Sequence, residues 1–184
     1  MGKRTTASWR DWSGKSIEHL VLNETSDRMH AASAIISTDG DNPFAARYEI
    51  ACDSEWRVRS VGVELLGEDR KIELTADGEG NWSDETGALV EFRGAIDVDI
   101  TATPFTNTLP IRRINPGNGQ SADIITVYIQ LPEMIVTPDP QRYTCIKEGC
   151  LYRFESLDSD FAQDIEVDDR GLVITYPGLF KRII

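Results

Sequence analysis

An all-β domain is what this chain predicts, and three observations predict it. Apolar and polar residues alternate with period two along most of the sequence. Turn-forming Gly, Asn, Asp and Pro recur at short intervals, and no window of about twelve residues carries a 3.6-residue apolar period. Successive strand side chains point to opposite faces, so such alternation marks strands with one face in a core and one in water. Many short strands at close spacing give a meandering antiparallel sheet, a sandwich or a barrel.

The elements can be justified in order. Ile17, His19 and Val21 open the alternation; Val61, Val63 and Leu65 share one side of a later strand, and Ile72, Leu74 and Ala76 one side of the next. From Ile96 to Thr103 the pattern has no miss, with Ile96, Val98, Ile100 and Ala102 on one side and Asp97, Asp99, Thr101 and Thr103 on the other. Ile124–Leu131 is rich in β-branched residues and reads as a more deeply buried strand. Ile165 with Val167 and Leu172 with Ile174 complete the series. Turns punctuate it at Asp39–Pro43, Asp77–Gly80, Asn115–Gly119 and Asp168–Gly171, where Gly supplies positive φ and Asp or Asn closes local side-chain turns. Six of the eight prolines lie between Pro104 and Pro140, which predicts a rim or bend where the sheet changes direction. Around Pro104–Thr108 a hairpin is expected. It would pair Asp97–Thr103 with Leu109–Asn115 and set Asp99 opposite Arg113 as a cross-strand ion pair.

At 184 residues the chain reads as one domain, 1–184, large enough to bury a core without disulfides or metals. Nineteen Lys and Arg against 31 Asp and Glu give a net charge of −12, which disfavours nucleic acid and anionic headgroups as partners. Met1–Trp9 has two basic residues but no apolar run behind them, and no stretch approaches ~18 apolar residues. The expectation is a cytoplasmic protein without stable membrane insertion. Cys52, Cys145 and Cys150 are an odd count and read as free thiols, although Cys145 and Cys150 flank a short turn.

Little in the sequence points to catalysis. It has no G-x-S-x-G, and the two histidines, His19 and His30, have no partner motif. Cys145 and Cys150 lack zinc spacing, and the glycine pairs sit in hairpin-type turns, not between a strand and a helix. No metal, cofactor or catalytic residue is therefore assigned. Asp97 and Asp99 share a strand face with Cβ atoms about 7 Å apart. They are read as ion-pair members, as a ligand-contacting polar wall, or as the acids of a carboxylate-based hydrolase. Trp9, Trp12, Trp56 and Trp82 are the other asset, since an indole can stack on a sugar ring or pack on an acyl chain.

The run from Asp97 to Arg113, with T-P-F-T-N-T-L-P-I-R-R at its centre, resembles the signature of a bacterial glycolipid-binding family formerly described as a domain of unknown function. Similar stretches occur in the same order. They are Trp9 with Glu18; Tyr48, Ile50, Cys52, Asp53, Trp56, Arg57 and Arg59; Asp77, Gly78, Gly80 and Trp82; Gln141, Tyr143 and Thr144; and Val167 to Pro177. The resemblance implies a spiral β-roll, an incompletely closed antiparallel barrel with a partly hollow interior, like that of lipid and lipoprotein carriers. It implies an amphipathic ligand, with Trp56, Arg57, Arg59, Trp82, Asp97, Asp99, Arg112, Arg113 and Tyr143 as candidate contacts. Three classes stay open: a binding or carrier protein for a glycolipid-like molecule, a protein-interaction module pairing through a sheet edge (a homodimer included), and a carboxylate enzyme. An open amphipathic interior favours the first and a filled core the second.

Overall fold

A computed structural model describes residues 2–40 and 42–184. The described residues form fifteen strands. The first eight are β1 (Lys3–Asp11), β2 (Ser16–Glu24), β3 (Arg28–Ser37), β4 (Phe44–Asp53), β5 (Val58–Leu65), β6 (Lys71–Ala76), β7 (Trp82–Asp84) and β8 (Gly87–Leu89). Then come β9 (Asp97–Ile100), β10 (Ser121–Gln130), β11 (Ile135–Lys147), β12 (Leu151–Ser156), β13 (Ala162–Val167), β14 (Val173–Tyr176) and β15 (Phe180–Arg182). One helix, α1 (Thr108–Ile114), lies between β9 and β10.

All fifteen strands belong to one sheet, ordered β8 through β1, then β15 down to β9, and the sheet is not closed into a barrel. Neighbours are antiparallel except β9 and β10, which run parallel. A parallel pair needs a crossover, and α1 supplies it. The expected all-β class with an unclosed, rolled sheet is what the chain adopts.

The sheet's two long halves bury different cores. The first is built from the inner faces of β1–β6, including Trp9, Leu20, Ile35, Tyr48, Ile50 and Val61. The second gathers Tyr143, Cys145, Tyr152, Phe154, Ile165, Val173 and Tyr176 from β11–β14, with Ile111 of α1. Strand β9 lies between them. Val98 and Ile100 belong to the first core, whereas Asp97 and Asp99 face α1 and β11. The alternation read from the sequence is therefore right in phase, but the polar side of this strand is a buried layer between two cores.

The expected hairpin at 97–115 does not form. After β9 the chain makes a 3-10 turn, Phe105–Asn107, and runs directly into α1. Prolines decide this. Pro104 caps the turn and Pro110 is the third residue of α1, within the first turn, where backbone N–H groups have no helical partner to lose. In a hairpin strand each would have removed a ladder bond. Asn115 ends the helix in the left-handed region, at φ 45°, and its N–H returns to the Ile111 carbonyl. Arg112 and Arg113 thus sit in the last helical turn, where cations oppose the helix dipole favourably. The cysteines are free, as expected, with Cys52 and Cys145 buried.

Candidate ligand-binding clefts

The polar layer under α1 holds most of the acids and amides singled out in the sequence. Asp97, fully buried, takes a forked pair from Arg113: Nε lies 3.1 Å from both carboxylate oxygens and Nη2 2.6 Å from Oδ2. Asp99 accepts from Thr106 Oγ1 at 2.8 Å and from Gln141 Nε2 at 2.8 Å, and the same amide donates to Asp139 at 2.7 Å. Tyr143 donates its hydroxyl to Asn107 Oδ1 at 2.9 Å. The expected Asp99–Arg113 pair is replaced by Asp97–Arg113. A helix presents Arg113 to β9 at a different register from a hairpin strand. Burial pushes the carboxyls of Asp97 and Asp99 above the ordinary range, opposed by Arg113 in the first case and by Thr106 and Gln141 in the second.

Four of the expected residues meet at the surface beside this layer. Trp56, Arg57, Arg112 and Arg113, with Gly78 and Ile96, line a cleft of about 560 Å³. Asp53 builds its rim: Oδ1 accepts the Glu55 and Arg57 N–H groups, each at 3.0 Å, and Oδ2 accepts Arg57 Nε at 3.0 Å. That turn holds Trp56 at φ 64°, a conformation that costs a bulky residue energy. Its indole lies 4.5 Å under the Arg112 guanidinium, which also donates to the Arg170 carbonyl at 3.0 Å. Arg59 packs against Gly78 at the cleft's edge, where a Cβ would meet its guanidinium at 2.8 Å. Trp82 is elsewhere: it is buried, donating Nε1 to the Ala95 carbonyl at 2.7 Å. Trp9 is likewise enclosed, bonded to the Val173 carbonyl at 2.8 Å.

A larger cleft, about 800 Å³, opens at the edge of β6. Strand β7 pairs with β6 only at Thr75 and Ala76, so Lys71–Leu74 has no strand on that side. Both faces of the sheet therefore reach the gap. Ile72, Leu74, Leu89, Phe92 and Val136 supply an apolar wall belonging to the first core or packed against it. On the other face, His30, Glu49, Ser60, Gly62, Thr75 and Ser83 supply a polar one. Sequence reasoning named none of these residues as a ligand contact. A signal existed in Gly62, an interior strand glycine whose missing side chain leaves open space.

Sequence reasoning also passed over the centre of the first core. Glu18 is buried and accepts from Ser33 Oγ at 2.7 Å and Tyr48 Oη at 2.6 Å, while its Oε2 has no partner among the described residues. Among the described residues no cation forms an ion pair with it. Burial pushes its carboxyl up to about 7, against the bonds from Tyr48, Thr103 and Ser33.

A family model described as "Putative glycolipid-binding" matches residues 6–182, all but the ends of the chain. The chain belongs to this glycolipid-binding family. A crystal structure of a DUF1089 family protein from Pseudomonas aeruginosa shares the fold with this family member at a TM-score of 0.78. The two are 36% identical, over 90% of this chain and 92% of that one. No curated protein matches. Among the described residues, no helix of this glycolipid-binding family member is long and apolar enough to cross a membrane.

Proposed function

We propose that the chain binds an amphipathic molecule of the glycolipid class in the cleft at the open edge of β6, and that it acts by binding, not by catalysis. One observation carries the reading: a single cleft of about 800 Å³ is walled by apolar residues on one side and polar ones on the other. An acyl chain would lie against Ile72, Leu74, Leu89, Phe92 and Val136, and a hydroxyl-rich headgroup against Ser60, Thr75, Ser83 and Glu49. The family's description supports the same ligand class. Against a hydrolase stands the engagement of the strongest acid pair. Asp97 is committed to Arg113 and Asp99 to Thr106 and Gln141, so neither faces an open cleft as a free acid or nucleophile.

Calorimetric titration with n-octyl glucoside below its micellar concentration tests the site. Saturable binding is expected. Ile72→Arg, at a half-buried position, should weaken it about tenfold or more by filling and charging the apolar wall. Trp56→Ala should change it by less than about twofold. The opposite ranking would move the ligand to the arginine-lined cleft. No saturable binding of the glucoside or of a longer-chain analogue would sink the reading in favour of an interaction module.

A further inference from the structure

The outer face of β1–β5 carries an exposed apolar row. Register places Arg10 beside Ile17, Ile17 beside Ile36 and Ile36 beside Ala45, and the Leu66 N–H bonds to the Ala45 carbonyl at 2.8 Å. Ile17, Ile36 and Leu66 are 48%, 54% and 47% exposed, against the rule that a sheet's solvent face is polar. At the row's end Trp12, 54% exposed, bonds through its backbone N–H to the Leu179 carbonyl, and Leu179 is itself exposed. The other three indoles are buried, so Trp12 is set apart at a turn tip.

Two cations stand at one end of the row. Arg10 and Lys181 are register partners on adjacent strands, both exposed. Among the described residues no ion pair engages either of them, whereas Lys15 and Arg47 nearby are matched with Asp39 and Glu64. In a chain of net charge −12, two unmatched cations beside an apolar strip call for an anionic counterpart. The acids beside the row, Asp39, Glu64 and Glu68, are already matched by Lys15, Arg47 and Arg70, so a second copy of the strip brings these two cations little free charge to meet.

We infer that this row is a docking surface for an anionic lipid bilayer, with Trp12, Ile17, Ile36 and Leu66 entering the interface and Arg10 and Lys181 meeting phosphate headgroups. An exposed indole, branched aliphatics and flanking basic residues are the chemistry of peripheral membrane contact. The net charge of −12 works against this contact only over a short range, since screening over about 8 Å at physiological ionic strength leaves the patch governed by its own charges, where Asp39 and Glu64 are matched by Lys15 and Arg47. The geometry also suits the proposed cleft, whose residue Gly62 lies roughly 13 Å from Leu66 along β5. Docking would hold the cleft close above the surface from which an amphipathic ligand is taken.

Sedimentation with vesicles tests docking without any glycolipid present, so its failure leaves the octyl glucoside titration to judge the cleft. Binding is expected to vesicles of mixed phosphatidylglycerol and phosphatidylcholine and to fall in high salt. Ile36→Glu and Trp12→Ser should each weaken it about tenfold, and Arg10→Ala with Lys181→Ala about fivefold per charge. Circular dichroism unchanged in these surface variants secures the comparison. Quenching of indole fluorescence by spin-labelled lipid should vanish in Trp12→Phe. The inference is overturned if Ile36→Glu binds vesicles as well as the unaltered protein does. It is overturned equally if light scattering finds a dimer that Ile36→Glu dissociates.

Discussion

Glu18 and Asp97 are both carboxylates withdrawn from water, one at the centre of the first core and the other in the layer that opens onto the second. The molecule accommodates them in opposite ways. Asp97 meets a guanidinium in forked geometry, so its charge is matched within the protein. Glu18 meets only hydroxyls, from Ser33 and Tyr48, and burial raises its carboxyl toward the proton-bound form. One half of the roll keeps a buried charge by pairing it, and the other tolerates a buried acid by letting it take up a proton. Two strands that look equally amphipathic in sequence therefore have different electrostatic lives.

The comparison breaks most sharply at Arg113. Arg113→Ala leaves Asp97 buried without its cation and should lower unfolding free energy by about 3–5 kcal/mol in urea titrations. Asp97→Asn combined with it should cost much less than the sum of the two singles. Additive losses would mean that the two residues do not act as a pair.

Next in size is the pH response of Glu18. Its folded value, about 7, lies above the ordinary 4.5, so the folded state holds this proton more tightly than the unfolded chain does. The stabilisation is complete below the unfolded value and is lost as pH rises through about 7. The difference amounts to about 3 kcal/mol by pH 8.5. Glu18→Gln, which keeps shape and most hydrogen bonding, should gain on the unaltered protein steadily from pH 5 to pH 8.5. A stability difference flat across that range would show that Glu18 titrates normally.

The smallest effect is a control. Arg142 and Asp123 form a similarly forked pair at 2.6 and 2.9 Å but on the exposed surface. Arg142→Ala should cost no more than about 1 kcal/mol. A loss approaching that of Arg113→Ala would show that geometry, and not enclosure, sets the value of such pairs here.

The strands were legible wherever one face met water. Val61, Val63 and Leu65 alternate with Ser60, Gly62 and Glu64, and one period of two settles both the element and its inward side. Between Thr103 and Ile111 that logic fails, because the segment is buried on all sides and leaves no polar face to alternate with. What marked the helix was the position of Pro104 and Pro110, each placed where a first helical turn tolerates it. Mistaking that segment for a strand moved Arg113 from Asp97 to Asp99. Of the site, Trp56, Arg57, Arg112 and Arg113 were named because two separate stretches of the family resemblance carry them, and only the fold brings the two pairs to one cleft. The larger cleft was invisible for a different reason. It exists because β7 stops pairing after two residues, and where a ladder ends is decided by the packing of Leu89, Phe92 and Val136 from distant parts of the chain.

The pairing of β1 with β15 has a topological consequence. Strands β8 and β9, consecutive in the chain, stand at the two opposite edges of the sheet, while its first and last strands meet in the middle. Read from β9 through β15 and on from β1 to β8, every strand follows its spatial neighbour, with α1 as the single crossover. The architecture is a simple meander that has been cut open at its centre and spliced at its rims. Growing from the ribosome, the chain lays down one wing of the sheet in order and then begins the other wing from its far rim. The hydrogen bonds that join the two wings, between β1 and β15, can form only once β15 has been made.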